Sequence, residues 1–328
     1  MRIAIDAMGG DAGPSVNVEG AVRAAKEWAD IDIILVGDER ELLPRMEGAP
    51  SNVSVYHADE VILPDDEPVR AVRRKKGASM VVAGQLVREK VADAMISAGN
   101  TGALMAVGLL VIGRIEGIER PALAPMLPTM NGAGVLALDL GANMDATAEH
   151  LEQYALMGSI YRSKIGGITQ PRIGLLNVGT EEMKGNELTK AAFPLLEKAP
   201  INFIGNVEAR DVLQAKCDVI VCDGFVGNIL LKAMEGTADT IFSALKAEFT
   251  KSLWTKLAAA IMKPGLSRFK KKMDYKEHGG APLLGVGGVC IKSHGSSDTI
   301  AIYNAVRQAR LALKTNLVQA ITAEINGK

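Results

Sequence analysis

Short apolar runs alternate with helical patterns along almost the whole chain, and this alternation is the feature that most constrains the fold. Segments 16–28, 102–112 and 148–161 have helical spacing. Because the short runs are apolar throughout, they predict strands that are covered on both faces. The predicted strands are RIAID, IDIILVG, NVSVYH, ADAMIS, GVLALDL, PRIGLL, INFIG and CDVIVCD.

This order of elements predicts an α/β fold, with a mostly parallel sheet that carries helices on both faces. In such folds, ligands bind beyond the carboxyl ends of the strands. The 328 residues, 48% of them hydrophobic, can bury a large core, which excludes an intrinsically disordered chain. No low-complexity linker divides the sequence, so a single large domain over residues 1–328 is expected.

Charge and cysteine content exclude several classes of function. The net charge of −1 gives no overall field that would attract nucleic acid. The three cysteines lack C-x-x-C spacing and the four histidines lie far apart, which argues against a disulfide framework or a metal site. Cys222, inside a predicted strand, fits a small core residue better than a nucleophile.

The sequence also bears on location. The N-terminus, MRIAIDAMGGD, lacks the apolar core of a signal peptide. The longest uncharged apolar run, residues 103–113, is too short to cross a bilayer. Sparse cysteines fit a reducing cytosol. We therefore expect a soluble cytoplasmic protein, with peripheral contact to a membrane left open.

One segment departs from the alternation. Residues 229–262 contain no proline and place apolar side chains at helical spacing for roughly 50 Å. Pro264-Gly265 is expected to end this helix, and a basic amphipathic piece follows. A helix of this length exceeds what one modest domain can bury. We expect a projecting hairpin over residues 229–275 that pairs with a second copy, as in a four-helix bundle.

Five glycine-rich loops precede helices, and we expect them to converge on one sheet edge. Glycine lets N–H groups approach a ligand, and a helix start adds unpaired donors, so such loops suit phosphate. The alternative is that parallel sheets need glycine turns in any case. The P-loop and G-x-G-x-x-G motifs are absent. The loops are DAMGGD (6–11), SAGNTG (97–102), NVGTEEMKGNE (177–187), DGFVGN (223–228) and KSHGSSD (292–298).

Each cationic or polar feature near these loops has two interpretations. The basic run within residues 70–76 is a solvated helix face or a contact for an acidic partner. Lys184 is a surface lysine or a cation that steers phosphate. Residues 294–298 cap the last helix or help to bind an anion. From the residues alone, we expect a soluble α/β enzyme that binds a phosphate-like anion and forms a dimer.

Nine stretches, in chain order, resemble the PlsX family, the phosphate acyltransferases of bacterial phospholipid synthesis. The resemblance covers nearly the whole chain, from residue 1 to about residue 310. One departure is Val226, since the family usually reads GFTGN where this chain reads GFVGN. The matching stretches are MRIAIDAMGGD, DEPVRAVRRKK, ISAGNTGALM, RPALAP, LDLGAN, GTEEMKGNELTK, FIGNVEARD, DGFVGN and KSHGSSD.

The resemblance implies that acyl-[acyl carrier protein] and inorganic phosphate react to give acyl phosphate and free carrier protein. No cofactor and no metal-ligating residues are predicted. It implies a three-layer α/β/α sandwich of the isopropylmalate-dehydrogenase-like type and a homodimer. The product would serve a membrane glycerol-3-phosphate acyltransferase. Three alternatives stay open: a phosphotransacetylase-like enzyme that uses acyl-coenzyme A, a decarboxylating dehydrogenase that needs a metal and a nicotinamide, and a catalytically silent scaffold.

The resemblance and the loop chemistry together suggest site residues. Lys184 and Asn228 are expected to act directly, on phosphate or on the developing oxyanion. Residues expected to bind phosphate or substrate are Gly99, Asn100, Thr101, Gly102, Gly224, Gly227, His294 and Ser296.

Two surfaces are expected to meet partners. Acyl carrier proteins are acidic, so a basic docking surface is expected. Its candidate residues are Arg268, Lys270, Lys271 and Lys272, with Arg73 and Arg74 beside Lys75 and Lys76 as the second choice. The hairpin tip, with Trp254, Leu257 and Ile261, resembles an interfacial membrane anchor, and the alternative is packing in the dimer bundle.

Overall fold

The computed structural model describes residues 1–273 and 279–327. The strands are β1 (Arg2–Asp6), β2 (Asp32–Gly37), β3 (Val53–His57), β4 (Ala94–Ser97), β5 (Ala122–Leu123), β6 (Met126–Leu127), β7 (Val135–Leu138), β8 (Arg172–Asn177), β9 (Asn202–Glu208), β10 (Val219–Val221), β11 (Ala281–Leu284) and β12 (Val289–Lys292). The helices are α1 (Pro14–Glu27), α2 (Glu39–Leu42), α3 (Pro68–Arg74), α4 (Ser79–Arg88), α5 (Thr101–Val107), α6 (Ala148–Lys164), α7 (Glu187–Lys198), α8 (Ala209–Val212), α9 (Gly224–Phe249), α10 (Leu253–Met273), α11 (Thr299–Lys314) and α12 (Leu317–Asn326).

These strands form two sheets. The first has the order β3-β2-β1-β4-β12-β11-β5, in which β3 to β12 run parallel and β11 is antiparallel to both neighbours. The second has the order β6-β7-β10-β8-β9, in which only β6 is antiparallel. The carboxyl ends of the parallel strands therefore meet at one edge of each sheet, where ligands bind in α/β folds.

One hydrophobic cluster lies between both sheets and their shared helices. It contains Ile3 and Ile5 of β1 together with Leu136 and Leu138 of β7. Ala4, which lies between Ile3 and Ile5 on β1, points to the opposite face of the sheet, where it packs in a second cluster with residues of α4 and α5. A third cluster covers the outer face of the second sheet, beside the start of α9. Helices thus cover both faces of each sheet, which confirms the predicted fold class.

All eight predicted strands are present, as are the three predicted helices. Sequence reasoning missed β5, β6, β11 and β12, which have two to four residues each. Such short strands cannot show a period, and three of them are paired antiparallel at or near a sheet edge.

The predicted long helix is wrong in its bounds. It ends at Phe249, and a second helix begins at Leu253 and continues through Pro264. The break has a local cause. Ser252 and Thr255 cap the start of α10 reciprocally, since each backbone N–H donates to the other's hydroxyl, at 3.0 and 3.2 Å. These short polar residues lie within an apolar spacing that continues across the break.

Helices α9 and α10 contact each other through Phe242 and Phe269, whose ring centroids are 6.0 Å apart. Their apolar side chains are largely exposed in the single chain, including Trp254 at 82% and Ile261 at 76%. No helix within residues 1–273 and 279–327 is long and apolar enough to cross a membrane. The projection of this helix pair as a dimerising hairpin over 229–275 stays a prediction, and its last two residues fall outside the described chain.

Candidate active site

The glycine-rich loops do not share one sheet edge, and that expectation is wrong. Those near residues 6–11, 97–102 and 292–298 follow strands of the first sheet, whereas those near 177–187 and 223–228 follow β8 and β10 of the second. Chain order alone does not show which sheet a strand joins. Loops are named below after the strand that they follow: the β1 loop (7–13), the β4 loop (98–100), the β7 loop (139–147), the β8 loop (178–186) and the β12 loop (293–298).

A row of three buried polar residues ends neighbouring strands of the first sheet. Asp6, Ser97 and Lys292 are the last residues of β1, β4 and β12, and the register pairs Ser97 with each of the other two. The hydroxyls of Ser97 and Ser79 donate to Asp6, at 2.6 Å each. Burial nevertheless raises the pKa of Asp6, because desolvation outweighs these hydrogen bonds.

Lys292 supplies a buried cation to this row. Its ammonium group donates to the carbonyl of Ala98, at 3.5 Å, and to the carbonyl of Ser293. Burial lowers the pKa of Lys292 to about 8, while the charges of Asp6 and Asp11 act in the opposite direction. The side chain therefore binds two loop carbonyls, and burial makes its proton easier to lose than that of an exposed lysine.

The three loops around this row contact one another. The N–H of Asp11, in the β1 loop, donates to the carbonyl of Gly295 in the β12 loop, at 2.8 Å. The N–H of Ser293 donates to the carbonyl of Ser97, at 2.9 Å. A Cβ on Gly9 would lie 2.8 Å from the backbone nitrogen of Gly99, so the β1 and β4 loops also touch. The first sheet thus presents three joined loops at its carboxyl edge.

Six predicted site residues lie on this edge. Asn100 accepts a hydrogen bond from the N–H of Ala103, at 3.0 Å, and so caps α5, whose first residues are Thr101 and Gly102. Gly99 is in the β4 loop. The exposed side chains of His294 and Ser296 contact each other at 2.9 Å in the β12 loop.

On the second sheet, Asp139 follows β7 and organises the β7 loop. Its carboxylate accepts hydrogen bonds from the N–H groups of Ala142, at 2.9 Å, and Asn143, at 2.6 Å. It also accepts one from the N–H of Leu123, at 3.2 Å, which belongs to β5 of the first sheet. Desolvation raises the pKa of Asp139 to about 6 in spite of these donors. One buried carboxyl group therefore ties the two sheets together.

The start of α9 packs tightly against this loop. A Cβ on Gly224 would lie 2.7 Å from the carbonyl oxygen of Asn143, and one on Gly227 would lie 2.0 Å from that of Asp139. Asp223 accepts hydrogen bonds from the first N–H groups of the helix. Close packing thus explains the need for glycine at both positions, and their role in holding phosphate stays a prediction.

The prediction that residues 223–228 form a loop before a helix is wrong for Asn228. Helix α9 begins at Gly224, so Asn228 lies in its second turn. Its side chain is half-buried and lies over Gly141 of the β7 loop, where an added Cβ would be 3.6 Å from the amide oxygen. The local cause is Asp223, which caps the helix so that it begins at Gly224, five residues before the predicted start at residue 229.

Lys184 is exposed in the β8 loop. Its carbonyl accepts a hydrogen bond from the side chain of Asn177, at 3.1 Å, and its aliphatic stem passes close to Gly179. Among the described residues, no hydrogen bond or ion pair joins Lys184 to Asn228. The two expected catalytic residues therefore share the carboxyl edge of the second sheet without direct contact.

The two sheet edges are linked through the β7 loop. Ala142 packs against the cluster that contains Ala103 and Leu104 of α5. The β7 loop of the second sheet therefore contacts the hydrophobic core on one face of the first sheet.

The helix starts offer fewer unpaired donors than expected. Side chains cap α5, α7, α9 and α11, and two of these caps are carboxylates. A carboxylate at a helix N-terminus takes the place that an anion would occupy. The capping residues are Asn100, Asn186, Asp223 and Asp298.

Sequence reasoning did not single out Asp6, Asp139 or Lys292. Each ends an apolar run or directly follows one, and a charged residue in that position is the signal that could have found them. Cys222 is buried and desolvation raises the pKa of its thiol well above the ordinary value, which confirms the prediction of a core residue.

Residues 1–320 match the family described as "Fatty acid synthesis protein". A phosphate acyltransferase of Brevibacillus brevis is 61% identical over 322 residues, which is 98% of this chain and 96% of the relative. That of Geobacillus thermodenitrificans is 59% identical over 325 residues, which is 99% of each chain.

The chain belongs to the phosphate acyltransferase family. It is an enzyme that transfers an acyl group to phosphate. The dehydrogenase and scaffold alternatives find no support among these relatives.

Solved structures share the fold at low identity. A phosphotransacetylase of Streptococcus pyogenes aligns with a TM-score of 0.61 and 18% identity over 98% of this chain and 94% of its own. A branched-chain phosphotransacylase of Enterococcus faecalis V583 aligns with a TM-score of 0.56 and 16% identity, over 95% of this chain and 99% of its own. At these identities the likeness shows a common fold.

Two glycines of α9 offer a matched test of the packing at the site. We expect Gly227→Ala to lower the free energy of unfolding by about 1–3 kcal/mol or more, because its Cβ would meet the backbone of Asp139. Turnover should fall about tenfold or more, since the helix start that carries Asn228 must move. Chemical unfolding and turnover assays measure both effects.

The control is Gly236→Ala, the same change on the same helix. Nothing lies within 4 Å of a Cβ at this position, so alanine should leave activity unchanged and raise stability by up to about 1 kcal/mol. Equal stabilities for the two variants would contradict the packing argument.

Proposed function

We propose that this phosphate acyltransferase transfers a fatty acyl group from acyl-[acyl carrier protein] to inorganic phosphate. The main observation behind this proposal is that the β1, β4 and β12 loops are hydrogen-bonded to one another around the buried ammonium group of Lys292. Such a cluster of loops suits a small anion. The family description, "Fatty acid synthesis protein", supports a fatty acyl donor. The acyl phosphate would then serve phosphatidic acid synthesis through a membrane glycerol-3-phosphate acyltransferase.

In the proposed reaction, a phosphate oxygen attacks the thioester carbonyl, the carbon–sulfur bond breaks, and the carrier thiolate leaves and takes a proton. Phosphate is itself the nucleophile, so the chain needs no acyl-enzyme intermediate. Its tasks are to align phosphate with the carbonyl, which contributes up to roughly 7–11 kcal/mol in ideal cases, and to stabilise the oxyanion. Each oxyanion donor contributes about 2.7–4 kcal/mol.

Lys184 and Asn228 are proposed for the oxyanion and the phosphate charge. Lys184 follows β8 and Asn228 lies over Gly141 of the β7 loop, so both lie at the carboxyl edge of the second sheet. Ala142 of the β7 loop packs against the hydrophobic core on one face of the first sheet. Phosphate on the first sheet edge would thus face donors on the second.

For the acidic carrier protein, the structure favours the second-choice surface, Arg73 and Arg74. Both are exposed at the end of α3, and α3 begins at Pro68, whose Cγ would lie 2.7 Å from a Cβ on Gly102. This surface therefore adjoins the start of α5. Arg268 is exposed on α10, whereas the side chains of Lys270, Lys271 and Lys272 lie outside the described part.

The exposed apolar residues of α9 and α10 are proposed to meet a second copy of the chain along the helices and a membrane surface at the tip. A transient encounter with the membrane acyltransferase would follow from that location.

The alternative is a phosphotransacetylase-like enzyme that uses acyl-coenzyme A, which the shared fold favours. The two donors are compared by mixing enzyme, phosphate and the same acyl group on either carrier, and by trapping acyl phosphate with hydroxylamine. Reactions without phosphate correct for direct attack on the thioester. We expect faster phosphate-dependent trapping from the carrier-protein donor, and faster trapping from acyl-coenzyme A would favour the alternative.

The same assay tests the docking surface. Arg73→Glu combined with Arg74→Glu should raise the KM for the carrier-protein donor, because charge complementarity is lost, and leave the KM for acyl-coenzyme A unchanged. An equal rise for both donors would argue against a docking role.

Lys184→Ala is expected to reduce turnover at least about tenfold with the fold intact, because it removes a cation that stabilises developing charge. Lys190→Ala provides the control, since Lys190 is an exposed lysine on the neighbouring helix α7. Turnover and circular dichroism are measured for both. Near-normal turnover of the Lys184 variant would remove this residue from the site.

The tip is tested with Leu257→Glu combined with Ile261→Glu. Two charges on one helix face should reduce co-sedimentation with anionic liposomes, because burial of charge at the acyl boundary is costly. Sedimentation velocity reports the dimer in the same samples. Unchanged liposome binding would refute the anchor, and a loss of the dimer would assign these residues to the bundle.

A further inference from the structure

We propose that Lys292 is a positioning residue for phosphate: its ammonium group joins the β4 and β12 loops and so sets the distance between the donors that they carry. This inference rests on the proposed function, which places phosphate at the carboxyl edge of the first sheet.

The position of Lys292 in the sheet carries the first part of the argument. Cys290, two residues earlier on β12, packs in the cluster with α4 and α5, so Lys292 points to the same face. Ser97 lies beside it in the register and Asp6 lies one strand further. The lysine is 7% exposed, and its ammonium group therefore lies inside the protein, behind the loops.

A buried ammonium group is costly unless its partners compensate for the lost water. Here the partners are the carbonyls of Ala98 and Ser293, the first residues of the β4 and β12 loops. The charges of Asp6 and Asp11 act against this desolvation and favour the protonated form of Lys292. Lys292 therefore joins the β4 and β12 loops, which are far apart in sequence, through hydrogen bonds from one ammonium group.

The two bound carbonyls direct the rest of each loop. In a planar trans peptide, the N–H points away from the C=O, so the N–H groups of Gly99 and His294 are turned away from the ammonium. A cation at the carbonyl oxygen also polarises the peptide and strengthens its N–H as a donor. The N–H of Gly99 donates to Ser97, at 3.0 Å, which fixes the β4 loop from its other side.

Without the ammonium, two carbonyls would lack their partner and the carboxylates of Asp6 and Asp11 would lose their countercharge. The β4 and β12 loops would lose one of the contacts that hold them together, while the hydrogen bond from the N–H of Ser293 to the carbonyl of Ser97 would remain, and the remaining negative charge would repel phosphate. The acyl donor does not depend on this edge in the same way. A change in the KM for phosphate without a matching change in the KM for the acyl donor therefore distinguishes a positioning role from a purely structural one.

The test is Lys292→Met, which keeps most of the length and removes the charge. We expect the KM for phosphate to rise about tenfold or more, as for the loss of a charged hydrogen bond. The KM for the acyl donor should stay within about twofold. Turnover reduced with an unchanged KM for phosphate would overturn the proposal and indicate a structural role.

Lys314→Met is the matched control. Lys314 is half-exposed on α11 and pairs with Asp30, at 3.0 Å, away from the three loops. The same substitution there should leave the KM for phosphate unchanged. A similar rise in both variants would overturn the proposal, since it would reflect the loss of any lysine.

A measurement on the unaltered enzyme covers the case in which Lys292→Met does not fold. Hydrogen exchange, with and without inorganic phosphate, should show added protection in the β4 and β12 loops together. Protection in neither loop, or in one alone, would overturn the proposal. If the unaltered enzyme forms acyl phosphate and this protection is missing, only the role of Lys292 fails. If phosphate protects both loops and no acyl phosphate forms, the proposed donor fails instead.

Discussion

The structure depends on charged side chains that are buried where apolar strands end. Asp6, Asp139 and Lys292 each lose most of their hydration. This desolvation favours the neutral form of each group, since it raises the pKa of the two aspartates and lowers that of the lysine. Desolvation of this kind persists only where hydrogen bonds compensate for it. The compensating groups are backbone N–H groups and carbonyls of the loops, together with two serine hydroxyls. The same hydrogen bonds that stabilise the buried charges therefore fix the loops in which the chemistry is proposed.

This arrangement suits a reaction that needs alignment more than covalent participation. Phosphate already carries an oxygen nucleophile, and the thiol of Cys222 is buried with a strongly raised pKa, which disfavours its use as one. The β7 loop joins the two sheets, through the hydrogen bond from Leu123 of β5 to Asp139 and the packing of Ala142 against the core of the first sheet. An acyl group held by one sheet could thus meet an anion held by the other, without an intermediate on the protein.

Strands were predictable because burial on both faces leaves a local mark, a run of β-branched and apolar residues. The association of strands into two sheets was not, because pairing joins residues far apart in sequence, as in the contact of Ser97 with Lys292. The break between α9 and α10 was missed because the caps at Ser252 and Thr255 are two hydrogen bonds within an unbroken apolar spacing. Asn100, His294 and Ser296 lie at a carboxyl sheet edge, as glycine-rich loops after parallel strands predict, and their part in the site stays a prediction. The burial of Lys292 could not be predicted, because a lysine after an apolar run usually marks the point where the chain becomes exposed to solvent.

Glycine at the start of α9 serves close packing. Gly224 and Gly227 allow α9 to approach the Asp139 loop, where any side chain would meet backbone atoms. Asp223 then satisfies the first N–H groups of that helix, which leaves its N-terminus poorly suited to an anion. On the first sheet no carboxylate caps α5, and a lysine lies behind the loops. The buried ammonium group of Lys292, which binds the β4 and β12 loops, is the physical reason to propose phosphate at the first sheet, although Asp298 caps α11 at the same edge.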